Sequence, residues 1–205
     1  MMSKRFSQKV RTLANARVPV RPGLLFILSA PSGAGKSTLC RALLDHFPDM
    51  LYSISYTTRP PRQGEQDGVH YYFIARDEFK HGIEQGRWAE WALVHDNYYG
   101  TSADLLDRGL NGGQDILLDI DVQGMGQILT RYPAAITIFI MPPSLEILRR
   151  RLETRGTDSP EVIAVRLKNA QQELAQKDRY RHLIINDRLA DATTELIGII
   201  EKYRS

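Results

Sequence analysis

Leu24-Leu25-Phe26-Ile27-Leu28-Ser29-Ala30-Pro31-Ser32-Gly33-Ala34-Gly35-Lys36-Ser37-Thr38 joins an apolar run to a small-residue loop that ends in Gly-Lys-Ser. The apolar part reads as a buried strand over about Leu24 to Ser29, and the spacing from Lys36 to His46 predicts a helix that stops before Pro48. Strand, small-residue loop and helix in that order describe a phosphate-binding loop. Successive backbone N–H groups turn inward around phosphate oxygens, the helix N-terminus adds its positive dipole end, and Lys36 reaches the outer phosphates. Ala30, Pro31, Ser32, Gly33, Ala34, Gly35, Lys36 and Ser37 are therefore candidates for binding a nucleoside triphosphate, with the Ser37 hydroxyl placed for Mg²⁺. Ala30 stands where the strict pattern has glycine, a position alanine can hold if its φ is negative. The plainer alternative is a strand, a Gly-rich turn and a helix with no ligand.

A chain of 205 residues can bury a proper core, and 42% hydrophobic with 25% charged residues is ordinary for a globular domain that carries smaller lobes. The longest apolar run, Ala134 to Met141, is too short to cross a bilayer, so no membrane span is expected. The single cysteine, Cys40, permits no intramolecular disulfide and points to a reducing compartment, the cytoplasm. Its neighbours Leu39, Leu43 and Leu44 make it a small core residue rather than a reactive thiol. The five histidines, at 46, 70, 81, 95 and 182, show no metal-ligand spacing.

The net charge of +3 suggests a nucleic-acid partner until its distribution is considered. Lys4, Arg5, Lys9, Arg11, Arg17 and Arg21 crowd into the first 22 residues with no acid among them, which leaves 21 basic against 24 acidic residues elsewhere, a net −3. No specific nucleic-acid partner is expected for the folded part. Residues 1–22 read as a flexible basic arm, serving as a solubilising tail, a weak contact to an anionic surface or a transit-like segment. An arm that binds nucleic acid would show salt-dependent affinity that vanishes on its deletion.

Further along, Leu51 to Thr58 alternates as a strand and runs into Arg59-Pro60-Pro61-Arg62, where polyproline geometry would set both arginines on one side, as an anion clamp or as a solvated basic turn. Val69 to Ile74 reads as a strand, Asp77 as the cap of a short helix ending before Gly86, and Trp88 to Val94 as a strand carrying Glu90. Thr101 with Asp104 resembles a helix-capping pair. Asp115 to Asp121 is an apolar strand ending in carboxylates, the form expected of the element that brings an acid to Mg²⁺ and phosphates. Asp121 can instead cap the following helix, which leaves Asp119 as the safer functional candidate. Ala134 to Met141 is another buried strand. Ser144 opens an arginine-rich helix that ends at Gly156, and Ser159-Pro160 a polar helix that runs to near Tyr180. A short strand, Leu183 to Asn186, and an amphipathic helix, Leu189 to Lys202, close the chain. Strands alternating with helices indicate an α/β fold with a mainly parallel sheet, interrupted by an inserted lobe.

Ser55-Tyr56-Thr57-Thr58-Arg59-Pro60-Pro61-Arg62-Gln63-Gly64-Glu65, Asn97-Tyr98-Tyr99-Gly100-Thr101 and Leu118-Asp119-Ile120-Asp121-Val122-Gln123-Gly124, following the phosphate loop in that order, resemble the guanylate kinase family over nearly all of residues 24–203. The resemblance implies a core at 23–54, 97–145 and 181–205, a GMP-binding lobe at 55–96 and a helical lid at 146–180. It implies transfer of phosphate from ATP to GMP or dGMP with Mg²⁺, and leaves a homo-oligomer open. By the same resemblance Arg59, Arg62, Tyr71 and Tyr99 would hold the GMP phosphate, and Ser55, Glu90, Thr101 and Asp119 or Asp121 would surround guanine. Lys36 and the lid arginines Arg151, Arg155 and Arg166 would be catalytic, Asn186 would meet adenine, and Asp119 would join Ser37 as a candidate for Mg²⁺. Arg149 and Arg150 either join the lid set or face water. Standing alone, Glu90 would read as a surface residue of its strand. Domains of this kind also occur as interaction modules without catalysis, but those have damaged phosphate loops, whereas Lys36 and Ser37 are intact. A kinase for another nucleoside monophosphate is disfavoured by Glu90 and by Tyr98-Tyr99-Gly100-Thr101.

Overall fold

The computed structural model describes residues 21–94, 96–156 and 158–205. The basic arm therefore lies outside the described residues, apart from Arg21 and Pro22. In chain order the elements are β1 (Leu25–Ser29), α1 (Lys36–His46), β2 (Leu51–Tyr52), β3 (Tyr56–Thr57), β4 (Tyr72–Phe73), α2 (Arg76–Glu84), β5 (Trp88–Val94) and β6 (Asn97–Ser102). There follow α3 (Ala103–Asn111), β7 (Ile116–Asp119), α4 (Val122–Arg131), β8 (Ile136–Met141), α5 (Leu145–Thr154), α6 (Pro160–Leu174), β9 (His182–Ile185) and α7 (Leu189–Arg204).

Five strands form a parallel sheet in the order β2-β7-β1-β8-β9. All five residues of the central β1 are buried, as a strand covered on both faces requires. The period-two pleat divides its side chains between two cores. Phe26 and Leu28 pack with Leu39 and Leu43 of α1 and Leu196 and Ile200 of α7, while Leu25 and Ile27 join Leu106 of α3 and Met125 and Ile128 of α4. This is the α/β arrangement expected from the alternation of strands and helices. No helix among the described residues is long and apolar enough to cross a membrane.

The stretch read as one strand from Leu51 to Thr58 divides between two sheets. Leu51 and Ser53 donate to the Asp115 and Leu117 carbonyls beside β7, whereas the Ser55 and Thr57 carbonyls accept from Tyr72 and Ile74 beside β4. β3 thereby enters a second sheet, ordered β4-β3-β6-β5. Because β6 pairs there with β3 and β5, residues 97–102, expected in the core, belong with the inserted strands. The strand expected from Val69 shortens to β4, since the His70 N–H turns back to the Gln66 carbonyl. Asp77 does not cap α2; the cap position is Ala75, and Asp77 sits in the first turn, where its charge suits the helix dipole. The helix expected to reach Tyr180 ends at Leu174, followed by a 3₁₀ turn at Lys177–Arg179. Helices α5 and α6 share a small core of Leu148, Leu152, Ile163, Leu167 and Ala170.

At the amino end of β7 the buried Asp115 ties both ends of the described chain together. Its carboxylate accepts from Arg21 Nη1 (2.9 Å) and Nη2 (2.8 Å), from the Leu24 N–H (2.8 Å) and from Arg204 Nε (2.7 Å). Burial alone would raise its pKa, but these donors outweigh it and hold the carboxyl below its ordinary value. The resulting stability is present above the carboxyl's unfolded-state pKa and is lost as pH falls through the lower folded-state value. Asp115→Ala should lower unfolding stability by roughly 1 to 3 kcal/mol at pH 7, because a buried acceptor of four hydrogen bonds is lost, while half-exposed Arg21 turns to water and Arg204 keeps Asp49. Urea unfolding checks this; a loss below ~1 kcal/mol at neutral pH would contradict it.

Candidate active site

Parallel sheets gather their strand carboxyl ends on one edge, and β1 delivers residues 30–35 there between β7 and β8. Gly33 and Gly35 take φ of +91° and +95°, which L side chains rarely adopt. Asp96 is the only non-glycine with positive φ among the described residues, so Ala30 sits in ordinary backbone and its departure from glycine is harmless. Below the loop, Asn186 Nδ2 donates to the Ala34 carbonyl at 2.8 Å, and a side chain on Gly35 would run into that amide. Asn186, expected against adenine, is only 6% exposed, and its amide supports the loop.

Helices α5 and α6, expected from the resemblance to form a lid, reach this loop. Leu148 and Leu152 of α5 pack against Gly33. Arg151 donates to the Asn186 carbonyl (2.8 Å), and Arg166 of α6 donates to Ser32 Oγ (2.9 Å) while pairing with Asp158 (3.3 Å). A cleft of about 580 Å³ opens here, lined by residues 30–33 and 35–38 with Arg151, Arg155 and Glu173. Lys36 also lines a second cleft, of about 370 Å³. In this second cleft Lys36 is joined by Ser55, Tyr71, Glu90, Tyr99, Asp119 and Asp121, six of the residues singled out from the sequence for the acceptor. The register pairs Leu28 of β1 with Asp119, so the strand ends bring that carboxylate to Lys36, with which it forms an ion pair. The Lys36 ammonium thus sits where the two clefts meet.

Three acceptor candidates stand outside the cleft lining. Arg59 forms a two-bond ion pair with Glu65 (both 2.9 Å) and lies over the ring of Tyr71, 5.5 Å from its centre. Glu65 also accepts from the Arg62 N–H (2.7 Å), and with Arg59 as the largest cause its pKa falls to about 2. The anion clamp expected of Arg59 and Arg62 is therefore folded around an internal carboxylate, and the Arg62 side chain is exposed. Thr101 is the third. Expected as a helix cap, it lies in β6, and Ser102 caps α3 through the Leu105 N–H. Thr101 Oγ1 donates instead to Glu90 Oε1 at 2.6 Å.

Glu90 owes its burial to a register shift in β5 between Trp88 and Glu90, which leaves Trp88, Ala89 and Glu90 all buried in succession. Desolvation, with a smaller contribution from nearby Asp121, raises its pKa to about 7 against the lowering effect of Thr101. Asp121 caps α4, accepting from the Gln123 (2.9 Å) and Gly124 (2.8 Å) N–H groups, so the carboxylate read as either cap or ligand both caps and lines the cleft.

A buried carboxylate thus faces a cleft that shares Lys36 with the glycine-containing loop after β1. The family model described as Guanylate kinase matches residues 23–203. The chain belongs to the guanylate kinase family. A guanylate kinase of Syntrophotalea carbinolica is 51% identical over 180 residues, covering 88% of this chain and 86% of the relative. One of Bordetella pertussis is 49% identical, covering 89% and 85%. The crystal structure of guanylate kinase from Anaplasma phagocytophilum superposes with a TM-score of 0.72 at 32% identity, covering 89% of this chain and 86% of that one.

Within this guanylate kinase framework several cleft residues escaped sequence reasoning. Tyr52 and His70 line the smaller cleft, and Glu173 of α6 lines the larger one. Burial raises the pKa of Tyr52, aided by Asp119, and Cys40 Sγ lies 3.7 Å from Asp119 Oδ2, its thiol likewise pushed up by burial. Tyr52 belonged to an alternating strand and carried no motif; its place follows from β2 pairing with β7.

Proposed function

We propose that this chain transfers the γ-phosphoryl group of ATP to GMP, and to dGMP, giving ADP and GDP or dGDP. The observation that carries the reading is Lys36 lining both clefts, so that a single ammonium faces donor and acceptor phosphates. ATP takes the cleft of the phosphate loop. The acceptor takes the cleft of Glu90, because guanine presents N1–H and the 2-amino group as adjacent donors that a carboxylate accepts together, whereas adenine presents an acceptor at N1. Two guanine donors favour the ionised form of Glu90, offsetting the burial that holds its pKa near 7.

The nucleophile is a phosphate oxygen of GMP, with a second pKa of about 6, so no general base is needed. Placement in line and electrostatic stabilisation supply the rate. Tyr71 and Tyr99 form the phosphate end of the acceptor site, joined by Arg59 once Glu65 is displaced from it and by the exposed side chain of Arg62. Arg151, Arg155 and Arg166 bring positive charge from the lid onto the transferring group, and the closed lid excludes water as a competing acceptor.

The donor set suits Mg²⁺. Ser37 and Asp119 supply one or two hard oxygens beside the phosphate loop, and no cluster of three or more His, Cys, Asp or Glu able to hold a metal exists among the described residues. An ion bound mainly by phosphates and water needs no more. When bound, Mg²⁺ neutralises charge on the outer phosphates. We place the reaction in the cytoplasm, consistent with a lone buried cysteine and ATP as donor.

The test is ADP formation from Mg-ATP with GMP, dGMP, AMP, dTMP or no acceptor. Turnover is expected with GMP and dGMP, with kcat/KM for AMP lower by about 10⁴ or more. Equal rates with and without acceptor would make the protein an ATPase, and tight GMP binding without turnover an interaction module.

A further inference from the structure

We propose that Gln127, with Gly124 one turn before it, positions Glu90 and so sets how well the acceptor cleft discriminates guanine; this rests on the reading of Glu90 given above. Gln127 lies on α4 against the core sheet, whereas Glu90 lies on β5 of the other sheet. The two elements meet at the backbone of Trp91, the residue after Glu90. Trp91 N–H donates to Gln127 Oε1 at 3.1 Å, and Gln127 Nε2 donates to the Trp91 carbonyl at 2.9 Å. This exchange of two bonds is what a hydrogen-bonded antiparallel strand residue would make, here supplied by one side chain. It holds the peptide that links Glu90 to Trp91 at a fixed distance from α4.

Residues three apart share a helix face, and Gly124 meets the same target at its other end. A β-carbon on Gly124 would lie 2.9 Å from Glu90 Oε2 and 3.5 Å from Asp121 Oδ1. The missing side chain therefore leaves space that the Glu90 carboxylate fills, while Gly124 N–H holds Asp121 at 2.8 Å. The register of β5 shifts at this point, so its ladder with β6 does not by itself aim the Glu90 side chain. Thr101 fixes one carboxylate oxygen from β6; α4 fixes the backbone and bounds the other oxygen. Gln127 is exposed and lines neither cleft, so it acts only through Glu90.

The test is steady-state kinetics of full-length Gln127→Ala, Glu90→Gln and the double variant, with GMP, AMP and ATP each varied. Alanine at an exposed helical position preserves the helix. In Gln127→Ala, KM for GMP should rise about tenfold and the GMP preference over AMP fall by a similar factor, with kcat and KM for ATP within about twofold of wild type. In the Glu90→Gln background the same change should add less than about twofold, because the carboxylate it positions is gone. Gly124→Ala should raise KM for GMP in the same selective way. An unchanged KM for GMP in Gln127→Ala, an equal rise in both backgrounds, or a matching rise in KM for ATP would overturn the proposal. If Glu90→Gln alone leaves KM for GMP and the preference over AMP intact, the guanine reading of Glu90 fails and the proposal with it. A large loss in Glu90→Gln beside a silent Gln127→Ala overturns the positioning role alone.

Discussion

Lys36→Ala lowers kcat/KM by on the order of 10³-fold or more, with both acceptor and donor affected. The size follows from where the ammonium sits. It is the charge shared by the two clefts, and the transition state places negative charge on the oxygens between them. In the ligand-free protein Lys36 is paired with Asp119, so arriving phosphates compete for it and Asp119 becomes available to a cation. Removing Lys36 takes away the cation paired with Asp119, whose neighbours include the uncharged Cys40 and Tyr52. Initial rates of ADP formation with Mg-ATP and GMP each varied measure the effect, with circular dichroism to establish that the variant is folded. Activity within about tenfold of wild type would remove Lys36 from the proposed chemistry.

Glu90→Gln separates function from stability. Its kcat/KM for GMP should fall by on the order of 10²-fold or more, since the amide offers guanine a donor where an acceptor is required. Stability should move the other way. Burial raises the folded-state pKa of Glu90 from 4.5 to about 7, so the group is neutral in both states below pH 4.5. Between these values the unfolded chain releases the proton first, and above about 7 the folded state carries the full burden of a buried charge. Glu90→Gln should therefore be more stable than wild type at pH 8 by roughly 2 to 3 kcal/mol, an advantage that shrinks toward zero near pH 4.5. Urea unfolding at the two pH values decides it. Equal stability at pH 8 would mean that the carboxylate is solvated in the folded protein.

Local patterns in the sequence were enough for the parallel α/β core. The buried run of β1, the small residues of the loop and the helix that follows are contiguous, and their chemistry depends on neighbours along the chain. The same holds for Asp121, whose capping bonds reach only two and three residues ahead. The resemblance singled out six residues that the fold gathers around one cleft, including Glu90, which the residues alone would have left on a strand surface.

Tertiary structure decided what depends on partners distant in sequence. Leu51 to Thr58 alternates evenly, and only pairing with β7 on one side and β4 on the other splits it between sheets. The burial of Glu90 arises from a register shift that no alternation pattern records, and the role of Thr101 from a partner eleven residues away across a hairpin. The resemblance suggested a ligand contact for Asn186; that its amide also satisfies a loop carbonyl 152 residues earlier in the chain is visible only in the fold. Asp115 and Gln127 carried no motif, and their bonds join segments far apart in the chain. Propensity and periodicity act over a few residues and so determine elements and motifs; a buried polar group must find its partner wherever the fold brings one, and that only the assembled structure specifies.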